Sequence, residues 1–172
     1  MNFFNLIKKR TSVRSFTERP VQKDEVEKLL QAANSAPSAG NLQAYEILVI
    51  KEDSLKEALA EDAHGQKFIE KSPVIFAFLQ DAARSTEKYG ERGELYSIQD
   101  GTIAATYLQL AAVELGLGSC WIGAFNEEKV KEDLGTNKKP LALIPVGYPA
   151  KSSGGDSPRR ELDDLVTYME SS

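Results

Sequence analysis

A chain of 172 residues with 41% hydrophobic content is long enough to bury one sizeable core and too short for two ordinary domains. Its formal charge of -5 leaves no basic face for nucleic acid or anionic lipid. With Cys120 the sole cysteine and His64 the sole histidine, set in the polar stretch EDAHGQK, an intramolecular disulfide, a His/Cys zinc site and a Ser-His-Asp triad are all excluded. An enzyme so poor in acid-base side chains borrows its reactivity from a cofactor. The opening MNFFNLIKKR lacks the order of a signal peptide, and the apolar run Val74 to Leu79 falls far short of the ~20 residues of a membrane span, so a cytoplasmic protein is expected.

Phe3, Ile7 and Arg10 share a helical face with Leu6 beside them, which predicts a short first helix delivering Arg10 from the core-facing side. Residues 22–33 repeat the spacing with Val26, Leu29, Leu30 and Ala33, and SAPSAGN breaks it with proline, glycine and small residues. Tyr45 to Ile50 reads as a strand, after which Ser54 and Glu57 form a capping box for a helix carrying Leu55, Ala58 and Leu59. From Pro73 a second strand, VIFAFL, is apolar on both faces and therefore central.

Residues 81–97 are polar and glycine-containing, an exposed excursion of helix and loop. Ile98 to Leu115 is small or apolar on nearly every side, the pattern of a helix buried in the core or in a subunit interface. Gly116 and Gly118 end it, and SCWIG follows as a short extended piece. Asn126 then caps a helix with Glu127 and Glu128 in its first turn and Gly135 at its end. LALIPVGYP is the third clear strand, with Pro145 placing it at an edge or at a gap in pairing. The tail runs from a Ser-, Gly- and Lys-rich stretch, Lys151 to Pro158, into Arg159, Arg160 and LDDLVTYM. Few strands, unevenly spaced among helices and without repeat or linker, imply one α+β domain over residues 1–172.

Three segments could carry chemistry. Arg10, Thr11, Ser12 and Arg14 combine guanidinium forks with hydroxyls, a donor set suited to phosphate, although the same letters describe many solvated helix ends. Arg159 and Arg160 form a second cationic pair that could converge on the same anion. SAPSAGNLQ offers Ser38, Asn41 and Gln43 beside small residues, and on spacing alone is an ordinary turn. GLGSCWIGAF lets glycine backbone approach a ligand closely, and equally describes a helix end followed by a core strand. Cys120 and Trp121 read first as core or interface residues.

Taken together and in order, RTSVRSF, APSAGNLQ, IQDGTIAATYLQLAAVELGLGSCWIG, LALIPVGYP and PRRELDDLV resemble the FMN-dependent nitroreductase family along nearly the whole chain, in particular its short, NAD(P)H oxidase-like members. The resemblance implies an intertwined homodimer, each subunit with a central, mostly antiparallel sheet flanked by helices, and FMN at both interface sites. By that likeness Ile98 to Leu115 makes dimer contacts and the C-terminal segment reaches over the partner. Arg10, Ser12 and Arg14 would hold the FMN phosphate and ribityl chain, Thr11 acting through its backbone, with Arg159 and Arg160 at the phosphate. Ser38 and Asn41 would line the flavin of the other subunit. Ile122 and Gly123 would lie by its ring, the Gly123 amide toward N5. Asp100 matches a recurrent acidic position without an evident role. Ala44 and Tyr45 stand where many relatives have proline and tryptophan.

The activity so implied is hydride transfer from NAD(P)H to flavin N5, then electron transfer to a small acceptor of nitroaromatic or quinone type by a ping-pong cycle. No protein nucleophile and no metal takes part. Tyr89, Arg92 and Tyr96 are candidates for acceptor or nicotinamide contact. Alternatives are an NADH oxidase, a specialised flavin chemistry on the same scaffold, or a flavin-binding protein without turnover.

Overall fold

Alternation decides the sheet. Its strands are β1 (Tyr45–Ile50), β2 (Val74–Gln80), β3 (Gly118–Ser119) and β4 (Pro140–Gly147), ordered β1-β2-β4-β3 with every neighbouring pair antiparallel. In the computed structural model, which describes residues 1–150 and 157–169, successive side chains of β2 point to opposite faces. Val74, Phe76 and Phe78 enter one core with Leu29, Ala104, Leu108, Ile144 and Val146; Ile75 and Ala77 enter a second with Leu59, Ile69, Val130 and Leu143. That is why VIFAFL is apolar throughout, and it makes β2 central as its sequence implied. Most of the stretch from Lys151 to Pro158 lies outside the described residues.

Helices cover both faces. α1 spans Phe3–Lys9, α2 Lys23–Asn34, α3 Asp53–Asp62, α4 Ala82–Tyr89, α5 Arg92–Glu114 and α6 Glu127–Asp133. α2 and α5 pack on the first core, α3 and α6 on the second. The expected caps of α6 form: Asn126 Oδ1 accepts from Lys129 N at 3.2 Å, and Gly135 is left-handed with φ 61°.

Three local expectations need correction, and at Pro145 the second of two alternatives, a gap in pairing, is the one found. α1 has no buried residue, and Phe3 and Phe4 are 61% and 71% exposed, so its apolar side does not face this chain's core. The cap of α3 is Glu52, whose carboxylate accepts from Ser54 N and Leu55 N; a carboxylate just before the first turn satisfies two amides at once, so Ser54 lies inside the helix and does not cap it. α5 begins at Arg92 rather than Ile98 and runs 23 residues, because its first turn is covered by α4 and by Gln80, which donates to Ser97 Oγ at 2.9 Å. β4 is interior, although the strand beside it on the Pro145 flank is only Gly118–Ser119, so pairing there is short.

Candidate functional site

The N-terminal segment is laid along the end of the sheet by one close approach. Ser12 bridges Ser119 in parallel, and Val13 N donates to Ser119 O at 2.9 Å. Val13 is buried while Ser12 and Arg14 on either side face outward, the alternation of an extended chain. A Cβ on Gly118 would fall 2.5 Å from Val13 Cγ2 and 2.8 Å from its Cβ, so glycine is what lets the segment dock. Gly118→Ala is expected to cost about 1 to 2 kcal/mol of stability as the docked segment is pushed away; urea denaturation of the variant checks this, and an unchanged midpoint would contradict the contact.

Arg10, Ser12 and Arg14 lie on the segment docked against Ser119, beside the buried Cys120. Burial pushes the Cys120 thiol up, while the Arg14 charge, a hydrogen bond with Ser12 and the Arg10 charge pull it the other way. No described carboxylate lies within ion-pair distance of either arginine. Two uncompensated guanidinium groups and a hydroxyl, fixed beside a sheet end in an acidic chain, are a donor set that fits a phosphate group.

Beyond Cys120 the chain rejoins β4. Ile122 and Leu143 exchange both backbone hydrogen bonds at 3.0 Å, which buries Ile122 and leaves Gly123 exposed just past the last rung. Among the described residues the Gly123 N–H has no backbone acceptor. A Cβ on Gly123 would come within 3.1 Å of Trp121 Nε1, so the position also has little room for a side chain.

Ser38 and Asn41 lie elsewhere, in a loop with left-handed backbone at Gly40, Asn41 and Gln43. Ser38 Oγ accepts from Gln43 N at 3.0 Å, and Gln43 Nε2 donates to Asn41 Oδ1 at 2.8 Å, so the loop is held from within. It is also held from below. Asp100, 2% exposed on α5, accepts from Ala39 N at 2.9 Å and Ala44 N at 3.3 Å, one amide at each end of the loop. The acidic position whose role the sequence left open is therefore a clamp. A cavity of about 550 Å³ opens beside it, lined by Pro37, Ser38, Ala39 and Tyr96 with Ile98, Gln99, Thr102 and Ile103 of α5.

The cradle and the loop are anchored at different levels of α5. Gln109 donates to Ser119 Oγ at 3.3 Å near the cradle, whereas Asp100 holds the loop. Those two positions are about 14 Å apart along a helix rising 1.5 Å per residue. One chain thus brings Arg10, Ser12, Arg14, Ile122 and Gly123 together, and keeps Ser38 and Asn41 apart from them. Arg159 and Arg160 lie in an exposed segment, where Arg160 donates to the Asp164 carbonyl. The same segment exposes Leu162, Leu165, Tyr168 and Met169.

A helix-flanked antiparallel sheet with two unpaired arginines beside one end and a clamped loop apart from them defines an α+β class. The sequence pattern of the nitroreductase family matches residues 7–70 and 60–148, and the chain belongs to that family. It is similar to a Bacillus subtilis protein named FMN reductase (NADPH), 32% identical over 169 residues that cover 89% of this chain and 68% of the relative. It is also similar to a Staphylococcus aureus NADPH-dependent oxidoreductase, 32% identical over 182 residues, 96% of this chain and 72% of that one. A solved nitroreductase from B. subtilis superposes with a TM-score of 0.89 at 30% identity, covering 96% of this chain and 73% of its own. The nitroreductase fold inferred from the motifs is the fold observed.

Proposed function

We propose that this chain, as a single domain over residues 1–172, forms a cytoplasmic homodimer that binds FMN, oxidises NAD(P)H and reduces a small electron-poor acceptor of nitroaromatic or quinone type. The observation that carries the reading is the cradle itself: Arg10 and Arg14, without carboxylate partners, on the segment that Ser12 and Val13 dock against Ser119. The names of the relatives, an FMN reductase (NADPH) and an NADPH-dependent oxidoreductase, supply the cofactor and the donor.

In this reading Arg10, Ser12 and Arg14, with the Thr11 backbone, hold the FMN phosphate and ribityl chain, and Arg159 and Arg160 close over the phosphate. Ile122 offers an apolar wall, and the exposed Gly123 amide offers a donor to the ring. Ser38 and Asn41 come from the second subunit, which is how the two separated half-sites of one chain are united. The exposed Phe3, Phe4 and Tyr107 and the apolar C-terminal segment are the surfaces left for that partner. Bound FMN would supply the redox chemistry, taking a hydride at N5 and giving electrons to the acceptor in a ping-pong cycle. The chain's own work is to orient two rings on one face and to hold the cofactor's charge.

The visible spectrum of the purified protein, followed by release of its chromophore, tests this directly: FMN is expected, and a colourless protein that FMN cannot reconstitute would defeat the reading. Arg10→Ala is expected to weaken FMN binding about 10- to 100-fold, the loss of a charge-assisted contact worth roughly 1.5 to 3 kcal/mol. Fluorescence titration of the apoprotein measures it, and an unaltered dissociation constant would remove Arg10 from the cradle.

A further inference from the structure

Resting on the reading just given, we infer that Arg84, Lys88 and Arg92, with Tyr89 and Tyr96, form the subsite that receives the 2′-phosphate of the nicotinamide donor and so select NADPH over NADH. These residues come from two helices and meet above the loop of Ser38 and Asn41. Arg84 Nε donates to the Leu42 carbonyl at 2.5 Å. Lys88 Nζ lies 2.7 Å from where a Gly40 Cβ would stand, and the Tyr89 hydroxyl covers the same point. Arg92 Nε donates to the Tyr96 hydroxyl at 2.9 Å, and Tyr96 lines the cavity beside Ser38 and Asp100. The two phenol rings meet edge to face with centroids 5.1 Å apart, and Lys88 and Arg92 each lie 5.3 Å from one of them.

No described carboxylate is within ion-pair distance of Arg84, Lys88 or Arg92. Of the acids in the same stretch, Asp81 pairs with Lys138 at 3.1 Å and Glu94 accepts from Gln80 at 2.9 Å; Glu87 and Glu91 are exposed and unpaired. The cluster presents three exposed cations without ion pairs, two of them beside aromatic faces, next to the loop that borders a cavity lined in part by Tyr96. A dianionic phosphate on a flat heterocyclic ligand matches it, phosphate to the cations and ring edge to the phenols. Two donors differing only in that phosphate are therefore told apart here, away from the nicotinamide.

Binding of adenosine 2′,5′-bisphosphate and adenosine 5′-monophosphate to the FMN-loaded dimer, measured by calorimetry, tests the subsite without turnover. The bisphosphate is expected to bind at least ~10-fold tighter, the size of one charge-assisted contact. In Lys88→Gln, which breaks no hydrogen bond of the fold, and in the Lys88→Gln, Arg92→Gln double variant, that preference and the NADPH to NADH ratio of kcat/KM should fall together. The kcat/KM for NADPH should also decline more steeply with salt than that for NADH. Equal affinity of the wild-type protein for the two nucleotides, or a preference surviving in the double variant, overturns the assignment. Bound flavin that neither dinucleotide bleaches would instead strike at the reductase reading, leaving the nucleotide comparison as the separate test of the subsite.

Discussion

Asp100→Ala is expected to be among the most destabilising single substitutions in this chain, by about 2 to 4 kcal/mol, the cost of leaving the buried Ala44 amide and the half-buried Ala39 amide without an acceptor, at roughly 1 to 3 kcal/mol for a fully buried one. The carboxylate sits on α5 at 2% exposure and takes one hydrogen bond from each end of the loop, at Ala39 and Ala44. Between those ends Asn41 and Gln43 adopt φ of 58° and 45°, conformations that cost of order 1 kcal/mol or more each unless the surroundings impose them. Removing the clamp therefore leaves two orphaned donors and frees a strained loop to relax. The consequence reaches past stability, because Ser38 and Asn41 ride on that loop. Asp100→Asn, which keeps one acceptor but turns an amide group toward the second N–H, should fall between wild type and alanine. Urea denaturation at fixed protein concentration, with FMN affinity measured alongside, gives both readouts; a loss below about 1 kcal/mol in Asp100→Ala would show that the clamp is not sustained in solution.

The contrast between Asp100 and Arg10 shows what a sequence carries. Arg10, Ser12 and Arg14 are close in the chain, so their chemistry is readable as a local cluster, and the strand Val74–Gln80 announces its two buried faces in its own letters. The bounds of β1 and the cap of α6 are equally local and fall where the residues place them. Asp100 works on amides 56 and 61 positions away, a relation no window of sequence contains. Gly118 is required by Val13, and Gly93 by the backbone of α4, again across gaps that only the fold closes. The polar stretch 81–97 hid the first turn of α5 for the same reason, since its periodicity is masked by glycines whose use is close packing. At α1 the difficulty is different: the helix forms, but none of its residues is buried, and its apolar letters alone do not say what they face.

Gly93→Ala should separate α4 from α5 and lower stability by about 1 to 3 kcal/mol, a size typical of overpacking. The added Cβ would stand 2.5 Å from Ser85 C and from Thr86 Cα, with Thr86 N also in its path, all of them backbone atoms of the facing helix. At Gly118 the obstructing atoms belong to the Val13 side chain, which can shift; here the helices themselves must move. Alanine favours the helix by roughly 1 kcal/mol over glycine, which opposes the effect without cancelling it. Because Arg84, Lys88 and Tyr89 stand on α4 while Arg92 and Tyr96 stand on α5, the same displacement should open the cation cluster and reduce the preference for adenosine 2′,5′-bisphosphate over the monophosphate. Gly116→Ala is the informative companion: φ is 74° there and nothing lies within 4 Å of the added atom, so it tests backbone strain without crowding. A Gly93→Ala protein as stable as wild type would mean that α4 does not lie against α5 at this distance, and the proposed nucleotide subsite would lose its scaffold with it.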